Sequence, residues 1–218
     1  MMNRREFFKS VGVGAATAVL TRNLSAAPGG AKRKPNVVLI LVDDLGWTDV
    51  ACFGSKYYQT PNIDRLCSEG MKFTDGYAAC AVCSPTRAAV MTGRYPARTG
   101  VTDWIHFRDV WGKVPRNNPT KYVGGSKQVL CPPNPYWLEL DEVTIPEMLK
   151  KGGYTSCHIG KWHLGPTRCF PDKQGFDVNI GGCDLGQPPS YFDPYTRQSG
   201  GPFQNIPTLK PRKKGEYL

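Results

Sequence analysis

Residues 36–42, Asn36-Val37-Val38-Leu39-Ile40-Leu41-Val42, form a nearly continuous apolar run that ends in Asp43-Asp44-Leu45-Gly46. A run without polar alternation reads as a strand covered on both faces, as in a parallel sheet flanked by helices, with the aspartates in its exit turn. Thr60-Pro61 then offers an N-cap and an N1 proline for a helix through Ile63, Leu66 and Cys67 to Gly70, followed by a short strand over residues 71–74. A second helix is predicted to start at Ser84-Pro85 and to run over Ala88, Ala89, Val90 and Met91 to Gly93, which puts Cys83 at a helix N-terminus. Thr144-Ile145-Pro146-Glu147 is a capping box for a helix that closes at Gly152-Gly153, and a strand over residues 154–159 follows. Residues 100–140 have no sustained period and read as a long surface excursion of the kind that shapes pockets, and the chain is again irregular after Gly165. The alternation of strand and helix predicts an α/β fold with a mainly parallel sheet.

The chain has 218 residues, enough for one domain with a real core. With glycine counted, about half of them are apolar, which excludes a disordered chain, a collagen or a coiled coil. The only sustained apolar run before residue 30, Val11 to Leu20, is about half the ~20 residues that span a bilayer, so no transmembrane helix is predicted. Residues 1–27 read as an export leader, with Arg4 and Arg5, that apolar centre, and small residues Ser25-Ala26-Ala27. Asn3-Arg4-Arg5-Glu6-Phe7-Phe8-Lys9 resembles the bacterial twin-arginine signal, which implies passage of an already folded protein through the twin-arginine export machinery and a periplasmic or extracellular destination after cleavage.

The formal charge is +10, and much of it lies in Lys32-Arg33-Lys34 and in Lys210, Arg212, Lys213 and Lys214, which read as solvated ends. No nucleic-acid reading module accompanies these short runs, so nucleic acid is not an expected partner, although a basic field favours anionic substrates. The eight cysteines stand at 52, 67, 80, 83, 131, 157, 169 and 183. There is no pair of CxxC units to suggest zinc, and His158 and His163 are five apart rather than at helical metal-ligand spacing. With Cys83 set aside seven cysteines remain, so at least one stays free, and connectivity cannot be read from sequence.

Cys83-Ser84-Pro85-Thr86-Arg87 followed by Thr92-Gly93-Arg94 resembles the sulfatase signature, C-x-P-[S/T]-R with a downstream T-G-R. A chance match is expected on the order of once in 10^9 starting points at average residue frequencies. Taken alone, Cys83 reads as a small buried hydrophobe at a helix start; a thiolate favoured by the helix dipole and Arg87 is a further reading, but the C-x5-R spacing of cysteine phosphatases fails at Ala89. Leu41-Val42-Asp43-Asp44-Leu45-Gly46, Gly160-Lys161-Trp162-His163-Leu164-Gly165, Thr60-Pro61-Asn62-Ile63-Asp64-Arg65-Leu66 and Gly175-Phe176-Asp177 are similar to further segments of the same family. Asp43 and Asp44 have hard oxygens suited to Ca²⁺ or Mg²⁺, whereas without the signature they are ordinary turn residues. Lys161 and His163 are two apart, so an extended backbone turns both to one side at the end of a predicted strand. Ligands of open parallel sheets bind outside the carboxyl ends of the strands, so these segments are expected to share one crevice.

The resemblance implies an alkaline phosphatase-like α/β fold and hydrolysis of a sulfate ester of a small molecule or carbohydrate. It implies that a formylglycine-generating maturation enzyme oxidises Cys83 to formylglycine, that Asp43, Asp44 and residue 83 bind Ca²⁺ (or Mg²⁺), that Arg87 orients the formylglycine, that Lys161 holds sulfate oxygens, and that His163 bonds or deprotonates the second hydroxyl of the hydrate. His158 reads as a packed strand residue and His106 as an unassigned loop residue. Trp104, Trp111, Tyr136 and Trp137 could stack on a sugar or aryl ring, or pack. A phosphodiester or phosphonate hydrolase of the same superfamily and a non-catalytic anion-binding segment are the alternatives. The family's second metal pair, second lysine and leaving-group histidine have no counterpart here, since no Asp-Asn follows Asp177 and no histidine follows His163. Residues 28–218 are therefore expected to be the amino-terminal part of such a domain, with an incomplete sheet and no activity alone.

Overall fold

The computed structural model describes residues 33–106, 115–121, 130–188, 190–193 and 214–217. The leader expected over residues 1–27 and Trp111 lie outside the described residues. The chain divides into two compact units, Met1–Leu45 and Gly46–Leu218.

In the first unit, residues 33–42 have no regular secondary structure, and Asp43-Asp44 form a turn with Asp44 at φ 57°. The buried strand predicted over residues 36–42 is thus not formed: Val38 is 83% and Ile40 75% exposed. Hydropathy supplies the apolar faces of a strand but not its ladder partner, and the one sheet among the described residues pairs two other segments.

The second unit holds four α-helices among its described residues. Helix α1, Pro61–Glu69, starts on its N1 proline and stops where Gly70 N–H donates to the Leu66 carbonyl. Thr60 does not cap it; its Oγ1 accepts from Ala51 N–H and donates to Asp64. Helix α2, Cys83–Thr92, begins one residue before the predicted Ser-Pro start and ends at Gly93, whose φ of 67° is the left-handed stop that glycine favours. A short helix α3, Pro96–Thr99, follows. Helix α4, Ile145–Lys151, has the predicted capping box, with Glu147 in its first turn and Lys150 and Lys151 in its last, each charge opposing the helix dipole. Residues 71–74 are not a strand, and Met71 and Phe73 are exposed.

The sheet is β1, Cys157–Ile159, parallel to β2, Val178–Ile180, with Cys157 opposite Val178 and Ile159 opposite Ile180. β1 is the end of the strand predicted over residues 154–159, and β2 lies in the stretch expected to be irregular. Their connection carries two 3-10 turns, Thr167–Cys169 and Pro171–Lys173, and is tied to α4 by the fully buried Thr144, whose Oγ1 donates to the Gln174 carbonyl at 2.8 Å. The core is Ala88, Val101, Ile105, Leu138, Trp162 and Leu164, with Met91 and Phe176 packed against it. Val101, Ile105 and Leu138 come from the two ends of the predicted surface excursion, which therefore contributes core. Apolar residues without a period can fill a core as loop when neighbouring elements supply their partners, as the Leu138 N–H bond to the Leu164 carbonyl at 3.0 Å does here.

Candidate active site

Cys83 opens α2 and is half-buried, and the residues after it anchor the helix. Ser84 is fully buried, and its hydroxyl does not cap the helix. It accepts from Ile105 N–H and donates to the His163 carbonyl, both at 2.9 Å. One turn along the helix, the buried Arg87 donates from its guanidinium to the Lys161 carbonyl. Thr86 turns outward from this pair and donates to the Cys80 carbonyl at 2.6 Å. Ser84 and Arg87 therefore join Cys83-Ser84-Pro85-Thr86-Arg87 to Gly160-Lys161-Trp162-His163, two segments more than seventy residues apart in the chain.

His163 is 2% exposed, its N–H donates to the Cys183 carbonyl at 3.0 Å, and its Nε2 lies 2.8 Å from the Ile105 carbonyl. A carbonyl only accepts, so Nε2 carries a proton and Nδ1 is the basic nitrogen of the neutral ring. The backbone at His163 is left-handed, φ 60°, so the two-residue alternation expected of an extended segment does not set the relation of Lys161 to His163. Lys161 is half-buried and Trp162 between them is in the core. Trp104 is 40% exposed, 6.4 Å from the His163 ring and edge-on to His106 at 4.8 Å. Trp137, by contrast, is buried beneath Arg168, whose guanidinium sits 4.1 Å above its ring.

Ser84 before Pro85 has the local pattern of a helix cap, and its bridging role is not legible there because its two partners, Ile105 and His163, are set by tertiary structure. Ser84→Ala leaves Ile105 N–H and the His163 carbonyl buried without this hydroxyl, and is expected to cost about 2–3 kcal/mol in urea unfolding. A change below about 0.5 kcal/mol would show that the bridge contributes nothing.

His158, in β1, packs edge-on against Trp162 at 5.2 Å and Phe176 at 5.3 Å. Burial and the nearby Arg87 charge lower its pKa from 6.5 to about 4, so the ring is neutral at pH 7. The unfolded chain takes up this proton first on acidification. Stability should therefore fall as pH drops from about 6.5 to about 4, by on the order of 3 kcal/mol, with Arg87 as the neighbouring cation. Chemical unfolding across that window checks this, and His158→Leu should flatten the slope; an unchanged slope would assign it to other groups.

Asp43 and Asp44 lie in the unit Met1–Leu45, both exposed. Adjacent carboxylates fit a hard cation in kind but supply only part of the six to eight oxygens that Ca²⁺ takes. No group of three or more His, Cys, Asp or Glu gathers into a metal site among the described residues. No helix among the described residues is long and apolar enough to cross a membrane.

The family model for sulfatases matches residues 35–206, most of the chain. The chain belongs to the sulfatase family. N-acetylgalactosamine-6-sulfatase of Rattus norvegicus is 41% identical over 174 residues, 79% of this chain and 29% of that protein. Arylsulfatase A of Homo sapiens is 37% identical over 182 residues, 82% of this chain and 29% of that protein. This sulfatase chain thus spans under a third of the length of these curated relatives. The crystal structure of Ps i-CgsB superposes with a TM-score of 0.56 at 33% identity, covering 85% of this chain and 38% of that one, and the same protein has been solved with k-i-k-neocarrahexaose. The fold is the α/β, alkaline phosphatase-like fold of the sulfatases, with a small parallel sheet and helices.

Proposed function

We propose that these residues form the nucleophile side of an exported enzyme that hydrolyses sulfate esters, R-O-SO3⁻, to an alcohol and sulfate. The observation that carries the reading is the pair of hydrogen bonds, from Ser84 to the His163 carbonyl and from Arg87 to the Lys161 carbonyl, which hold the two signature segments together.

Residue 83 is the nucleophile position, matured by a formylglycine-generating enzyme. As a formylglycine hydrate, it supplies an oxygen nucleophile for the ester sulfur and a second hydroxyl through which sulfate is released. Asp43, Asp44 and residue 83 are the residues that would hold Ca²⁺ (or Mg²⁺), which would supply charge stabilisation for the sulfuryl oxygens. Arg87, one turn along α2 and bonded to the Lys161 carbonyl, orients residue 83 against the loop that carries Lys161. The ammonium of Lys161 binds sulfate oxygens, adding positive charge where negative charge develops. His163, its Nε2 proton committed to the Ile105 carbonyl, takes a proton at Nδ1. Sulfated carbohydrate is the proposed substrate class, supported by the carbohydrate complex of Ps i-CgsB and by the exposed Trp104, which offers a ring face for stacking. Residues 1–27 direct the protein through the twin-arginine machinery to the periplasm or beyond.

The test compares sulfate, phosphate diester and phosphonate esters of one leaving group on the polypeptide that carries these residues. Preference for the sulfate ester supports the proposal; preference for a phosphorus ester overturns it. In the same assay, Asp43→Ala and Asp44→Ala should each lower turnover by at least about 10²-fold and weaken Ca²⁺ binding in calorimetric titration. Wild-type Ca²⁺ affinity in both variants would make these aspartates plain turn residues.

A further inference from the structure

Cys52 and Cys67 are both thiols in this structure, and they lie on neighbouring elements outside the proposed site. Cys52 lies in a 3-10 turn, Ala51–Phe53, packed against α1. Its N–H donates to Asp64 Oδ1 at 2.8 Å, in the first turn of α1, and its carbonyl accepts from Lys72 Nζ at 3.1 Å, just past the helix end. Ala51 N–H donates to Thr60 Oγ1 at 2.9 Å, and Lys72 also sits 5.3 Å above the Phe53 ring. Cys52 is therefore pinned alongside the helix between positions 64 and 72. Cys67 lies between those anchors, three residues after Asp64 and so on the same face of the helix. Both thiols are half-buried, which leaves them open to a small reagent. Burial above all, and then the Cys67 thiol and the Asp64 carboxylate, push the Cys52 thiol above its ordinary pKa.

We infer that Cys52 and Cys67 are a disulfide-forming pair that staples the Ala51–Phe53 turn to α1. The oxidant is a disulfide, either a low-molecular-weight one or that of a thiol oxidase. One thiolate of the pair attacks the oxidant's disulfide, forming a mixed disulfide and releasing one thiolate. The second cysteine then attacks the sulfur of the first, forming the Cys52–Cys67 bond and expelling the other thiolate. Two electrons pass to the oxidant, whose two sulfurs leave as thiols carrying the two protons lost by the pair. The pairing stands apart from the sulfatase proposal, since neither cysteine belongs to the candidate site.

The test is non-reducing peptide mapping of the whole chain after incubation in native buffer with glutathione disulfide. Trypsin cuts after Arg33, Lys56, Arg65 and Lys72, which leaves Cys52 and Cys67 on separate peptides with a single cysteine each. The expected result is one cross-linked pair, residues 34–56 joined to residues 66–72, that disappears on reduction and in Cys52→Ser. Thermal unfolding gives a second readout. Reduction should lower the midpoint of the oxidised wild type by roughly 6 to 12 °C and leave Cys52→Ser and Cys67→Ser unmoved. Recovery of Cys52 and Cys67 as alkylated thiols, as separate glutathione adducts, or joined to other cysteines would overturn the pairing.

Discussion

Replacing Cys83 by alanine in the active enzyme is expected to abolish sulfate ester hydrolysis, with a loss of at least about 10⁴-fold in kcat/KM. The side chain at this position is the only part of the proposed nucleophile that the chain itself encodes, and alanine has no thiol whose loss from the β-carbon leaves the aldehyde. Helix α2 should survive the change, because its anchors are the fully buried Ser84 and the buried Arg87 rather than the half-buried Cys83. Urea unfolding of the variant should therefore stay within about 1 kcal/mol of wild type. Loss of activity with retained stability identifies a chemical role. Activity within tenfold of wild type would remove residue 83 from the mechanism.

Gly165→Ala is expected to be the most damaging single-methyl change near the site. Gly165 adopts φ 135°, a conformation that residues with a β-carbon avoid. An added Cβ there meets Trp137 Cβ at 2.5 Å, Cys169 Cβ at 3.0 Å and Trp137 Cα at 3.1 Å. These are backbone and β-carbon atoms, which cannot swing aside as the end of a long side chain does. The chain itself has to move, against the buried Leu164, Leu138 and Cys169 and against the Leu138 N–H bond to the Leu164 carbonyl. A loss of about 3 kcal/mol or more is expected in urea unfolding. The strain falls two residues from His163, so the Ser84 bridge to the His163 carbonyl should weaken with it. A variant within about 1 kcal/mol of wild type would mean that the loop has room the geometry denies.

The helices were the legible part of the fold. Pro61, the Thr144-to-Glu147 capping box and the glycines at 70, 93 and 152 are local signals, and each sits where a helix starts or stops. Strands depend on distant partners. The three residues of β2, Val178-Asn179-Ile180, carry no period that sequence could show, and their identity as a strand comes from the ladder with β1. The run over residues 36–42 has the composition of a core strand and no ladder among the described residues. At the site, the motifs around Cys83 and His163 announced the residues but not how they are joined. Ser84 beside Pro85 has the pattern of a cap, and only the tertiary positions of Ile105 and His163 turn it into a bridge. The left-handed backbone of His163 was equally hidden, since nothing in Lys161-Trp162-His163 marks a departure from extended geometry.

If residue 83 acts as an oxidised cysteine, peptide mass spectrometry will show the aldehyde itself. Trypsin releases residues 73–87, which contain Cys80 and Cys83, from polypeptide produced together with a formylglycine-generating enzyme. The predicted result is an aldehyde at residue 83, trapped by a hydrazine reagent, with Cys80 still a thiol. An unmodified thiol at both positions in a preparation that hydrolyses sulfate esters would contradict the account.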